Sequence, residues 1–123
     1  MSENNTTNIL NNVRKLLGSD EYFDPDLITH INSVFSRLQQ LGVGPENGFV
    51  IEDGTEEWDE FTEDEPILNM VKSYMVLQVK LLFDTSTTSS YVLDVMNRQS
   101  QEFEWRLRQA AEELKESSIG KEG

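Results

Sequence analysis

The residues with most capacity for chemistry lie together, in Glu52-Asp53-Gly54-Thr55-Glu56-Glu57-Trp58-Asp59-Glu60-Phe61-Thr62-Glu63-Asp64-Glu65, which holds nine carboxylates and no base. Carboxylates at this density suggest a divalent cation or a general acid–base pair. A calcium hand needs ligands at alternating positions, a central glycine and a terminal glutamate at fixed spacing, and no register of the run supplies them. Acid–base work needs burial or a charge partner to separate two carboxylate pKa values, which a glycine-bounded loop does not offer. The run reads as a solvated acidic surface, with no metal ligands assigned.

Two large aromatics interrupt it. Trp58 and Phe61 amid acids are candidate anchors for a protein contact, since aromatics in a polar frame concentrate binding energy. The competing reading is that they pin the loop to its own core. A second cluster, Phe103-Glu104-Trp105-Arg106-Leu107-Arg108, sets Trp105 beside Arg106 and Arg108, residue types enriched at interface hot spots. Its bland alternative has Trp105 closing the domain's own core while the arginines pair with Glu102, Glu104 and Glu112.

Other reactive types are scarce. His30 is the single histidine and sits between Ile28 and Ile31 with no triad partners around it, which suits a boundary histidine. With no cysteine there is no thiol nucleophile, thiolate metal site or disulfide, and a reducing compartment is expected. Gly42, Gly44 and Gly48 lack the spacing, lysine and preceding strand of a phosphate-binding loop. No catalytic residue, cofactor or metal is assigned, and an enzyme is not expected.

These clusters need elements to hold them. Ile9, Val13, Leu16 and Leu17 recur at helical spacing before Gly18, predicting a helix over 7–17. Asp24-Pro25-Asp26 gives an N-cap carboxylate, a proline at the first helical position and an acid at the positive end of the helix dipole. Leu27, Ile28, Ile31, Phe35, Leu38 and Leu41, with Val34 at the edge, continue that helix over 25–41, up to Gly42 and Gly44-Pro45. Residues 42–65 form a long loop in which Phe49-Val50-Ile51 is a candidate short strand. Pro66 restarts helix over 66–83, the most apolar of the chain. The hydroxyl-rich Asp84–Ser90 stretch is a hinge-like connector. A long amphipathic helix over 90–115 spans roughly 36 Å, more than a small core can cover along its length, so its end is expected to pack on a neighbour. A mobile tail over 117–123 follows. The expectation is one all-α domain over 1–123: four helices, a long acidic loop between the second and third, and a long C-terminal helix.

At 123 residues one core can close. The net charge of −13 disfavours ordinary nucleic-acid binding. It is uneven, with 15 acids and 3 bases in residues 1–65 against 8 and 7 in residues 66–123. The polar, acidic N-terminus and the lack of any apolar run near the roughly 18–20 residues of a membrane span argue against secretion or insertion.

Several stretches together resemble the head-tail connector (adaptor, head-completion) proteins of tailed bacteriophages, mainly those infecting Gram-positive bacteria. They are Ile9-Leu10 to Leu17-Gly18, Phe23-Asp24 to His30-Ile31-Asn32-Ser33-Val34-Phe35, Leu38 to Pro45, Phe49 to Ile51, Trp58 with Phe61, Val71-Lys72-Ser73-Tyr74, Lys80 to Asp84 and Glu104-Trp105-Arg106-Leu107, in the family's order across about residues 9–110. One departure falls at Asp84-Thr85-Ser86, where that family usually carries prolines after the aspartate. The resemblance implies a non-catalytic virion subunit, assembled in the host cytoplasm and resident at the head–tail interface. It implies a ring of about twelve copies, closed by heterologous contacts between two different patches of each subunit. Its partners would be the portal protein, a stopper or tail-completion protein and other copies of itself, with genomic DNA only as passing cargo and no membrane. An acidic lumen would not hold the phosphate backbone as it slides. From a different class, a DNA-mimic inhibitor with clustered carboxylates in place of phosphates fits the acidic loop equally well. A mimic, however, needs its charges fixed on one rigid surface.

Overall fold

The computed structural model describes residues 8–83 and 89–122, with side chains described through residue 116 except that of Tyr22. In order, the elements are α1 (Ile9–Leu17), a 3-10 turn (Glu21–Phe23), α2 (Asp24–Gln40), α3 (Trp58–Phe61), α4 (Glu65–Phe83) and α5 (Ser90–Glu122). The chain is all-helical as the pattern predicts, but the described residues hold five α-helices where four are expected. The extra one, α3, is a single turn inside the acidic loop, too short to leave a periodic signal. It is stabilised at its start by the Glu60 carboxylate accepting from the Glu57 N–H at 3.1 Å.

Helix α1 starts at Ile9 because Asn8 caps it, its side chain accepting from the Asn11 N–H at 2.9 Å. It stops at Gly18, whose φ of 69° is the left-handed conformation that closes helix ends. At the next start the assignment of Asp24 as a capping carboxylate is corrected: Asp24 is the first residue of α2. Its two oxygens are taken by Arg14 of α1, at 3.0 Å from Nε and 2.9 Å from Nη2. A fork-on-carboxylate pair outweighs a cap, and here it joins two helices.

The candidate strand at Phe49–Ile51 does not form, and no strand is present among the described residues. The reason is a tertiary contact. Asn32 of α2 takes both backbone groups of Ile51, accepting from its N–H at 2.8 Å and donating to its carbonyl at 2.9 Å, so no ladder partner is required. An isolated bridge between Asn8 and Glu57 pins the loop's far end to α1.

Helix α4 is the central element and packs against α1, α2 and α5. Its Ile67, Val71, Tyr74, Met75 and Val79 are buried, together with Leu27, Ile31, Val34, Phe35 and Leu38 of α2. Val34, placed at the edge by the sequence pattern, is inside. From α5 only Ser100, Leu107 and Ala111 are buried among the described side chains. α5 runs on to Glu122, through the segment expected to be a mobile tail. A lone glycine there costs a helix only about 1 kcal/mol, and no proline stops it. Its 33 residues reach roughly 50 Å at 1.5 Å each. Of the hydroxyl-rich connector, residues 84–88 lie outside the described residues.

Candidate functional site

Trp58 and Phe61 belong to the core, at 2% and 4% exposure. Trp58 Nε1 donates to Asn12 Oδ1 at 2.9 Å, satisfying the buried indole N–H. Phe61 stands 4.9 Å from Phe35 and 5.5 Å from Phe49, centroid to centroid. Of the two readings open for this pair, the arrangement is the one in which they pin the loop. At this depth Trp58 and Phe61 hold the loop to the core of the subunit.

Four of the acids around them bond to the loop's own backbone. Asp53 accepts from the Thr55 N–H and hydroxyl, which lowers its pKa, and Glu56 accepts from the Glu52 N–H at 2.8 Å. Asp64 receives the Ile67 N–H at the start of α4 at 3.0 Å, and Glu60 caps α3. These four carboxylates thus fold the loop on itself, the physical reason for part of the acid density. Six of the nine, Glu52, Asp53, Asp59, Glu60, Glu63 and Glu65, are exposed. Among the described residues no group of three His, Cys, Asp or Glu converges as a metal would require.

The second cluster divides face by face. Leu107 is fully buried, while Glu104 reaches across to α2 and α4. Arg37 holds Glu104 at both oxygens, at 2.8 and 3.2 Å, and Tyr74 Oη donates to it at 2.6 Å. The Arg37 hydrogen bonds hold the Glu104 carboxyl below the usual range, and burial first, then Glu104, raise the Tyr74 hydroxyl. Trp105 projects the other way at 61% exposure, so it does not close the core. Arg106 pairs with Glu102 one turn earlier at 2.9 Å, as the bland reading expects, and Arg108 is exposed. The structure therefore separates Trp58 and Phe61, inside, from Trp105, Arg106 and Arg108, outside. His30 is half-buried with its ring edge-on to Phe83 at 5.0 Å.

The sequence reading misses a groove of about 740 Å³ between α4 and α5, lined also by Leu16 of α1. Val76, Leu77, Val92, Met96 and Phe103 floor it; Lys72, Lys80 and Arg106 line its rim with Glu102. A second hollow of about 530 Å³ shares Leu16, Val76 and Lys80 and extends it towards Phe23 and Phe83. Leu16, assigned to the core by spacing, is 58% exposed here, and Val92 is 43% exposed. One signal was legible: Lys72, Val76 and Lys80 repeat every four residues on a helix whose other charge is Glu65. None of the described helices is long and apolar enough to cross a membrane.

An apolar groove with a cationic rim, an exposed tryptophan on a long helix and a carboxylate run serving its own backbone suit assembly with other proteins better than turnover of a substrate. No curated protein and no solved structure matches the chain. The family model described as phage connector protein matches residues 9–114, from the first residue of α1 to the last apolar position of α5's regular pattern, and the chain accordingly belongs to the phage connector family.

Proposed function

We propose that this connector subunit forms a ring between the capsid portal and the stopper or tail and there extends the channel through which the genome passes. The family match over 9–114 carries the connector role, and with it contact to other virion components. The observation favouring a ring is the exposed aromatic on α5: Trp105 stands outward while Leu107 and Glu104, beside it in sequence, lock the helix to the body. A rigidly held exposed aromatic loses little entropy on docking. Trp105, Arg106 and Arg108 would face a neighbouring subunit or the portal, and the exposed acids Asp59, Glu60, Glu63 and Glu65 at the end of the loop would contribute negative surface along the channel, where it would not retain DNA phosphates. The family resemblance implies about twelve copies, in a ring closed by heterologous contacts.

The test is a pull-down of the tagged protein with portal-bearing capsids of its own phage, imaged by electron microscopy. Ring density added below the portal supports the reading. Absence of binding, with capture of a host DNA-binding protein instead, would favour the DNA-mimic alternative.

A further inference from the structure

We propose that the groove between α4 and α5 receives the acidic loop of a second copy of this chain, with the donor's Val50 against the apolar floor and its Glu52 and Asp53 against Lys80 and Arg106. The inference rests on the ring reading above and names the two patches that meet.

Charge decides the occupant. The chain carries a net −13, yet the residues lining the groove include three cations, Lys72, Lys80 and Arg106, and one acid, Glu102. What fits is a segment that is apolar at its tip and acidic beside it, because unlike charges set register while a buried apolar tip supplies affinity. Lys72 is partly engaged at home, its ammonium 5.9 Å from the Trp58 ring centroid. Lys80 is exposed, and Arg106 holds Glu102 in an i,i+4 pair with both side chains more than half exposed. Solvent-screened pairs of that kind exchange partners at little cost.

This chain displays such a segment. Val50 is 57% exposed, whereas its neighbour Ile51 is buried and Phe49 packs on Phe35 and Phe61. Glu46, Glu52 and Asp53, close to it in sequence, are exposed. Asn32 holds Ile51 by both backbone groups, so Val50 projects from a fixed base and its ordering is complete before docking. None of the groove's lining residues lies in 42–65, so donor and acceptor are different patches of one subunit. Each copy then offers one of each, and the contact propagates head to tail, as a closed ring requires.

The natural absence of cysteine provides a clean background for a cross-linking test. Val50→Cys and Val92→Cys proteins are mixed under mild oxidation, both at high concentration in solution and on portal-bearing capsids. Disulfide dimers should form from the mixture in about tenfold excess over Val50→Cys mixed with Ser36→Cys, a control on the exposed side of α2. Lys80→Glu with Arg106→Glu in the acceptor should lower the yield about tenfold, and Glu52→Lys with Asp53→Lys in the donor should restore it. A mixed yield equal to the control in both settings overturns the proposal. Ring density on capsids without the cross-link refutes this contact and leaves the connector reading standing. The cross-link in solution without density below the portal supports the contact and removes the placement.

Discussion

Tyr74 Oη donates to Glu104 Oε2 at 2.6 Å while Arg37 grips the same carboxylate through two nitrogens. One residue of α5 therefore ties α4 to α2, and it does so at the position preceding the exposed Trp105. The tie fixes the helix that presents that tryptophan, linking core chemistry to the outer surface.

Replacing Glu104 by glutamine should lower stability by about 1–2 kcal/mol at neutral pH, because Arg37 loses its counter-charge but is 44% exposed and partly rehydrates. The pH dependence carries the sign. The Glu104 pKa is lowered on folding, so its contribution is complete above the ordinary value of 4.5 and is lost as pH falls through the lowered folded value. Denaturant melts of parent and Glu104→Gln protein should thus converge as the pH is taken below that range; a constant difference would argue against the clamp as the cause.

Trp58→Ala should cost about 3–5 kcal/mol, since it empties a buried indole site and leaves Asn12 without its donor. Chemical denaturation would read this directly. A variant as stable as the parent would place Trp58 outside the core.

At Gly44, φ is +90° and an added Cβ would run into the Phe61 ring at Cε1 and Cζ. At Gly18, φ is +69° with nothing within 4 Å. Gly18→Ala should therefore cost only the left-handed backbone penalty of about 1–2 kcal/mol, whereas Gly44→Ala should cost about 1–3 kcal/mol more as the ring is displaced. Comparing the two thermal midpoints tests whether the turn at Gly44 must touch Phe61.

Trp105→Ala should change stability by no more than about 0.5 kcal/mol, as an exposed helix position away from caps and core. Its effect should appear instead in attachment to portal-bearing capsids, measured by co-sedimentation. Unchanged attachment would reject Trp105 as an interface anchor.

Sequence alone settled the features governed by local physics. The apolar spacing of α2 and α4, proline near each of their starts and glycine after α1 fixed three helices to within one or two residues, because helix period and capping act over a single turn. Family membership was legible too, from motifs distributed over the whole helical array.

What tertiary structure decided was direction and partner. Trp58 and Phe61 sit in an acidic stretch that reads as surface, yet they are buried because Asn12, Phe35 and Phe49, distant in sequence, supply a pocket. Asp24 reads as a cap until Arg14 claims both its oxygens. Phe49–Ile51 reads as a strand until one asparagine satisfies Ile51's backbone. Leu16 reads as core, and only the packing of α1 on α4 leaves it exposed at the edge of a groove. In each case the local pattern states what a residue favours, and a long-range hydrogen bond, ion pair or packing contact decides which way it faces.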